Sequence, residues 1–126
     1  VHGMGMDEIT NTGETMISEL KDAAVKSYRI MPQDLGYPLC KQQDIAGGLP
    51  EENARKLVAV MKGEQSPARD IIAMNAGAAI YVSGKAMSLK EGANMAEEAI
   101  DTGKALSLLE RMTEMNGEPE KLERFL

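Results

Sequence analysis

Hydrophobic and polar residues alternate in two short stretches near the start of the chain. Residues 15–20 (TMISEL) alternate with a period of two, and residues 25–31 (VKSYRIM) do so more clearly. This period is typical of β-strands, and the four residues between the two stretches predict the turn of a hairpin. Pro32 ends the second stretch, because proline lacks the amide donor of a sheet ladder. Residues 32–49 are rich in proline and glycine and predict an irregular connector.

From residue 50 onward, the hydrophobic period changes to that of amphipathic helices. The first helix is predicted to begin at Pro50 and to stop at Gly63. Its apolar stripe, at helical spacing, consists of Ala54, Leu57, Val58 and Met61. The second helix is predicted to begin at Ser66 and Pro67 and to run to residue 83. Its residues are small or apolar on nearly all sides, which predicts the most buried helix of the chain.

A third helix is predicted to begin at Ser88, because Glu91 follows it at the spacing of a capping box. The apolar pattern continues past Gly103 to about Met115. We therefore predict one long helix, in which Gly103 either bends the axis or makes room for a neighbour. Residues 118–126 predict a last short turn or a frayed end. Residues 1–126 are thus read as one domain or a large part of one, with a strand- and loop-rich segment (1–46), a helical segment (47–116) and a tail (117–126).

The composition favours one globular domain or a large part of one. The chain has 126 residues, of which 43% are hydrophobic and 27% charged, and its net charge is −6. It has no Lys/Arg cluster, so we predict no nucleic-acid partner, because binding nucleic acid requires cations that displace phosphate counterions. No apolar run approaches the ~20 residues that span a bilayer, so no membrane partner is expected. The single Cys40 excludes an internal disulfide and agrees with a cytoplasmic location.

The strongest candidate for a chemical site is the adjacent acid pair Asp7 and Glu8. The preceding GMGM sequence allows the backbone to turn sharply, which brings both carboxylates to the rim of a loop. Mg²⁺ is often held by one or two carboxylates together with water and substrate phosphates. Adjacent acids are nevertheless common and usually solvated. From the residues alone, a solvated pair is therefore favoured over a metal site.

Four other polar residues have weaker claims to a functional role. His2 titrates near neutral pH, but it has no partner spaced around it, so we interpret it as structural. Cys40 shows no sign of an activating environment and is interpreted as a passive thiol. Asn53 and Asn75 lie on predicted helices, and we interpret both as helix-packing or capping amides.

Two segments of the chain carry a family resemblance. The opening VHGMGMDEIT and residues 47–103, which include PEENARKL and MNAGAAIY, resemble the anthranilate phosphoribosyltransferases. The similarity covers residues 1 to about 112. It implies an α/β fold, namely the C-terminal portion of a nucleoside phosphorylase/phosphoribosyltransferase-type α/β domain, with few strands plus covering helices. Two positions depart from the family pattern, since Met6 replaces the usual Leu and Leu49 replaces an Asp that caps the next helix.

The resemblance also implies a site and a reaction. In this family, the acids at the positions of Asp7 and Glu8 bind Mg²⁺, which contacts the pyrophosphate of phosphoribosyl pyrophosphate. The phosphoribose is transferred to anthranilate in tryptophan biosynthesis. The resemblance therefore makes Asp7 and Glu8 metal ligands, and it assigns no catalytic or substrate-binding residue in this chain. Pyrimidine nucleoside phosphorylases share the wider fold but match these motifs less well.

The rest of the machinery of this family lies upstream of the similar region. The GTGGD-type loop, the Lys-x-x-Asn-His-Gly-type segment and the N-terminal helical domain have no counterpart in the sequence. We therefore expect a C-terminal fragment that is inactive alone and that either needs its missing N-terminal part or self-associates. Two alternatives remain open. One is a half-enzyme completed by a separate chain, and the other is a non-catalytic relative that acts as a binding or interaction module.

Overall fold

The predicted hairpin is present and lies in a three-stranded antiparallel sheet. A computed structural model describes all residues, 1–126. The strands are β1 (His2–Gly3), β2 (Thr15–Lys21) and β3 (Ala24–Ile30), and they lie side by side in that order. The hairpin turns at Asp22 and Ala23, whose φ angles of 50° and 60° are both left-handed. This pair of angles is typical of the type I′ turn, whose twist matches that of the flanking strands.

Seven helices follow the sheet. They are α1 (Pro32–Leu35), α2 (Gln42–Ile45), α3 (Pro50–Met61), α4 (Pro67–Val82), α5 (Leu89–Asp101), α6 (Lys104–Met115) and α7 (Pro119–Glu123). The predicted beginnings of α3 and α4 at proline are confirmed, and Ser66 caps α4 by accepting a hydrogen bond from the amide of Arg69. Of the 16 residues of α4, only three are exposed, in agreement with the predicted burial.

The prediction of an irregular connector over residues 32–49 is wrong in two places, because α1 and α2 lie there. Each of these single-turn helices begins beside an aspartate that binds the backbone before it. Asp34 accepts a hydrogen bond from the amide of Met31 at 2.7 Å, and Asp44 accepts one from the amide of Lys41 at 2.8 Å. These carboxylates satisfy amides at the helix starts, which have no partner within the helix.

The long helix predicted across Gly103 is also wrong, since the chain forms α5 and α6 instead. Gly103 has a φ of 74°, and a left-handed residue ends the helical hydrogen-bond pattern. At the other end of α5, the predicted cap is present, because the hydroxyl of Ser88 accepts a hydrogen bond from the amide of Glu91 at 3.1 Å. The Glu91 carboxylate accepts from the amide of Met87 at 2.7 Å, one residue earlier than a capping box requires.

The core joins the sheet to α4 and α5. Its buried residues are Ile9, Ile17, Ile30, Leu35, Tyr37, Ala73, Met74, Ala93 and Ala96. None of the helices is both long and apolar enough to cross a membrane. Ile9 is only 1% exposed and directly follows the acid pair in the sequence. The core therefore anchors the chain immediately after Asp7 and Glu8.

Candidate functional site

The acid pair follows a tight reverse turn. The amide of Gly3 donates to the carbonyl of Met6 at 3.1 Å, and the amide of Met6 donates back to the carbonyl of Gly3 at 2.9 Å. The two residues between them, Met4 and Gly5, have φ angles of 51° and 89°, which is the left-handed pair of a type I′ turn. Gly3 has no room for a side chain, because a Cβ there would lie 2.6 Å from the carbonyl oxygen of Glu8. The sharp turn expected from the GMGM sequence is therefore present.

Asp7 and Glu8 are both exposed, and their side chains have no protein partner. No lysine or arginine forms an ion pair with either carboxylate, and neither carboxylate accepts a hydrogen bond. No group of three or more His, Cys, Asp or Glu side chains in the chain is arranged to hold a metal ion. The pair alone is therefore not a complete metal cage. Its hard oxygen ligands fit Mg²⁺, which commonly takes one or two carboxylates and fills its remaining positions with water and phosphate.

The backbone after the acid pair is held by a side chain from α4. The Asn75 side-chain oxygen accepts a hydrogen bond from the amide of Ile9 at 2.9 Å. The Asn75 side-chain nitrogen donates to the carbonyl of the same Ile9 at 2.8 Å, and also to the carbonyl of Ile71 at 2.9 Å. The sequence predicted a packing or capping amide at this position, and that prediction is confirmed. What the sequence did not reveal is the partner, which lies 66 residues away.

The loop that leads from the acid pair to β2 is fixed by its own polar side chains. The amide of Thr10 donates to the hydroxyl of Thr15 at 3.1 Å, and the hydroxyls of Thr10 and Thr12 lie 2.8 Å apart. The Asn11 side chain, which is fully buried, donates to the carbonyl of Pro67 at 2.8 Å. Hydrogen bonds therefore connect this loop to β2 and to the start of α4, so the site lies on a well-supported segment.

A cavity of about 580 Å³ lies elsewhere, between the β2–β3 hairpin and the C-terminal end of α4. Neither acid of the pair lines it. Its main polar group is Glu19, whose carboxylate accepts hydrogen bonds from the hydroxyls of Tyr81 at 2.5 Å and Tyr28 at 3.1 Å. The bond from Tyr81 lowers the pKa of Glu19, while burial and Glu19 raise the pKa of Tyr28 to about 12. Both carboxylate oxygens are thus occupied, and no reactive group is assigned to the cavity.

The remaining candidate residues from the sequence make no hydrogen bond with Asp7 or Glu8. His2 is exposed on β1, and its side chain makes no hydrogen bond. Cys40 is half-buried, and burial raises the pKa of its thiol, which agrees with a passive residue. Asn53 binds the backbone of Gly48 through its oxygen at 2.9 Å and its nitrogen at 3.1 Å, as expected of a capping amide. Leu49, which precedes α3, provides no side-chain cap.

Comparison with known sequences relates most of the chain to one family. Residues 1–106 match the family described as "Glycosyl transferase family, a/b domain". The chain is 52% identical over 106 residues to an anthranilate phosphoribosyltransferase from Methanosarcina barkeri, and 49% identical over 113 residues to one from Methanococcoides burtonii. These alignments cover 84% and 90% of this chain, but only 29% and 32% of the relatives. The chain therefore spans about a third of the length of the curated relatives that it matches.

Comparison with solved structures gives the same relationship. The crystal structure of anthranilate phosphoribosyltransferase from Thermus thermophilus superposes with a TM-score of 0.80 at 39% identity, over 87% of this chain and 32% of that chain. A variant of the Saccharomyces cerevisiae enzyme with Mg bound gives a TM-score of 0.74 at 30% identity, over 84% of this chain and 32% of that chain. The predicted α/β fold and the family resemblance are confirmed. The chain belongs to the glycosyl transferase family and comprises part of its a/b domain.

Proposed function

We propose that the chain is the C-terminal, magnesium-binding part of an anthranilate phosphoribosyltransferase. Asp7 and Glu8 hold the cation that meets the pyrophosphate group of phosphoribosyl pyrophosphate. The observation that supports this role best is an exposed pair of carboxylates without protein partners, on a backbone fixed by a tight turn before it and by hydrogen bonds after it. The names of the relatives supply the acceptor, anthranilate. The pathway, tryptophan biosynthesis, is what the family resemblance implies.

The proposed reaction exchanges one bond at the anomeric carbon of the donor. The bond from this carbon to the pyrophosphate oxygen breaks, the amine nitrogen of anthranilate bonds to the carbon, and that nitrogen loses a proton. Asp7 and Glu8 would hold Mg²⁺, which would supply neutralising charge for the departing pyrophosphate. The contribution of Asp7 and Glu8 is placement, because they present two hard anionic ligands at one fixed point. No residue of this chain is assigned the proton transfer, because His2 has no partner and the thiol of Cys40 is not activated.

The proposal includes inactivity of the chain on its own. Residues 1–126 form a partial domain, and two carboxylates without a phosphate-binding loop cannot orient the donor. The large apolar cavity and its exposed lining residues, such as Val82 and Met87, support a surface covered by the rest of the protein or by self-association. A cytoplasmic location agrees with the single free cysteine. The unpartnered acid pair favours an enzyme over a purely structural binding module.

A chimeric enzyme tests this function. In the chimera, this chain replaces the matched 106-residue segment of the Methanosarcina barkeri enzyme. We expect Mg²⁺-dependent transfer of phosphoribose to anthranilate by the chimera and none by the isolated chain. Asp7→Asn and Glu8→Gln each remove one charged ligand, so kcat/KM is expected to fall at least ~100-fold, about 2.7 kcal/mol. Steady-state kinetics measures both effects.

The control is Glu64→Gln, which neutralises an exposed acid whose side chain makes no hydrogen bond or ion pair. This variant of the chimera is expected to keep its kcat/KM. Unchanged kinetics in a double variant of Asp7 and Glu8 would overturn the metal role. Turnover by the isolated chain at a rate near that of the chimera would overturn its proposed inactivity.

A further inference from the structure

We propose that Asn75 is a positioning residue for the cation site, because it fixes the backbone that carries the two acids. This inference rests on the proposed function, since it concerns the cation that Asp7 and Glu8 hold. Asn75 does not contact the cation. It acts through the peptide groups of Ile9, the residue that immediately follows Glu8.

The geometry of the contact resembles a strand pairing made by a side chain. Asn75 accepts from the amide of Ile9 at 2.9 Å and donates to the carbonyl of the same residue at 2.8 Å. Two residues of neighbouring antiparallel strands exchange hydrogen bonds in the same way. The second proton of the Asn75 nitrogen goes to the carbonyl of Ile71 at 2.9 Å, so both of its donors are used. This arrangement fixes the amide group of Asn75 and, with it, the two peptide groups of Ile9.

The backbone of the acid segment, Asp7 and Glu8, is thereby held from two sides, while both carboxylates stay free of protein partners. On one side, the carbonyl of Glu8 lies so close to Gly3 that no side chain fits there. On the other side, Asn75 binds the next residue, and the Ile9 side chain is buried in the core. The last fixed point before the acids is the Gly3–Met6 turn. Two adjacent carboxylates can share one cation only if the backbone between them keeps one conformation, and residues that support ligands in this way commonly affect metal affinity 10–100-fold.

Asn53 provides a matched control within the same chain. It binds Gly48 with the same pair of hydrogen bonds, at 2.9 Å from the amide and 3.1 Å to the carbonyl. This second contact stabilises the start of α3 and does not involve the acid segment. Asn53→Ala therefore removes an equivalent contact while leaving the support of Ile9 intact.

The test is a titration of the ¹⁵N-labelled 126-residue chain with Mn²⁺ alone, a paramagnetic substitute for Mg²⁺, followed by NMR. In the wild type we expect Mn²⁺ to broaden the amide signals of residues 7–10 selectively. Asn75→Ala is expected to raise the apparent dissociation constant about 10-fold or more. It is also expected to accelerate hydrogen exchange at the Ile9 amide about 10-fold or more, because this amide loses its acceptor. Asn53→Ala is expected to leave both quantities at their wild-type values.

A second variant keeps the test valid if Asn75→Ala does not fold. In Asn75→Ser, the hydroxyl can bond to the carbonyl of Ile71 one turn earlier but is too short to reach Ile9. Asn75→Ser is likewise expected to raise the apparent dissociation constant for Mn²⁺ and to accelerate hydrogen exchange at the Ile9 amide. If Asn75 variants bind Mn²⁺ as the wild type does, while Asp7→Asn with Glu8→Gln abolishes the broadening, the positioning role is overturned and the metal site stands. If the wild type shows no broadening at residues 7–10, or if the double variant retains it, the metal site and the positioning role both fail.

Discussion

Arg69 is the only charged residue whose side chain is buried. Its side chain is 2% exposed, and its guanidinium group lies 2.8 Å from the carboxylate of Asp101, whose side chain is 56% exposed. Arg69 also donates to the carbonyl of Gly63 at 3.3 Å, which links the ends of α3 and α5 to the first turn of α4. A buried cation is stable only when it is paired and hydrogen-bonded, so this pair matters more than the exposed pairs elsewhere on the surface.

The Arg69–Asp101 pair predicts a pH-dependent stability. The hydrogen bond from Arg69 lowers the pKa of Asp101 in the folded chain. The stability that ionised Asp101 contributes is therefore fully present above its ordinary, unfolded-chain pKa of about 3.9. This stability is lost as the pH falls through the lowered pKa of the folded chain. We expect Asp101→Asn to lower the urea midpoint at pH 7, because Arg69 loses its counter-charge. This deficit is expected to narrow below about pH 4, where the carboxylate of Asp101 in the unfolded wild-type chain takes up a proton, and to disappear below the lowered folded pKa.

The control for this measurement is the exposed pair of Glu51 and Arg55, at 3.0 Å along one face of α3. Exposed pairs at this spacing contribute only about 0.3–0.5 kcal/mol, so Glu51→Gln is expected to leave the urea midpoint nearly unchanged. Equal midpoints for wild type and Asp101→Asn at pH 7 would show that the buried charge is satisfied without its partner.

At the scale of single residues, the sequence indicated candidate polar side chains but not the residues that they contact. Only the family resemblance made the acid pair a candidate metal site, and that role stays a prediction. The role of Asn75 as a structural amide was anticipated. Its contact with Ile9 was not, because 66 residues separate the two and no local pattern encodes such a distance. The burial of Arg69 was missed for the same reason, since its partner Asp101 lies 32 residues away on another helix.

The crossing of α4 and α5 holds the helical part of the molecule together. Gly77 and Gly92 face each other with almost no space between the backbones. A Cβ at Gly77 would lie 2.3 Å from the nitrogen of Ala93, and a Cβ at Gly92 would lie 2.2 Å from the carbonyl oxygen of Gly77. Because backbone atoms rather than flexible side chains fill this space, neither helix can accept even a methyl group without moving.

Gly77→Ala is therefore expected to destabilise the chain although alanine favours helices. Alanine gains about 1 kcal/mol over glycine in an open helix position. Forcing an extra methyl group into a packed core commonly costs about 1–3 kcal/mol. After subtraction of the helix-propensity gain, we expect a net loss of stability of up to about 2 kcal/mol. Asn94→Ala, at an exposed position of α5, gives the same kind of propensity gain without the clash and is expected to be neutral or slightly stabilising. Urea unfolding measures both; a more stable Gly77→Ala would contradict the close crossing.

At the scale of elements, regular patterns were read correctly and their interruptions were not. The alternating stretches gave β2 and β3, and the proline starts gave α3 and α4. The break at Gly103 was missed, because the apolar period of α5 continues into α6 and hides the left-handed residue between them. The short helices α1 and α2 were missed because one turn is too short to show a hydrophobic period. Their determinant is a local hydrogen bond from the backbone to Asp34 or Asp44.

At the scale of the whole molecule, the acid pair of Asp7 and Glu8 and the apolar cavity are separate features. The cavity, of about 580 Å³, is lined mainly by hydrophobic residues and is open to solvent along part of its wall. The chain also spans only about a third of the length of the relatives. The family and the α/β fold followed from two sequence segments. The groups that would complete the proposed site around the acid pair did not follow from the sequence, because the chain matches only about a third of the length of its relatives.

The most direct measurement of the central claim is anomalous diffraction from Mn²⁺ in crystals of the chimeric enzyme soaked with Mn²⁺ and diphosphate. We predict one peak within about 2.5 Å of carboxylate oxygens of both Asp7 and Glu8, with diphosphate oxygens among its other ligands. The peak is expected to disappear in the Asp7→Asn, Glu8→Gln double variant. An occupied Mn²⁺–diphosphate site elsewhere, with both carboxylates left in solvent, would contradict the account.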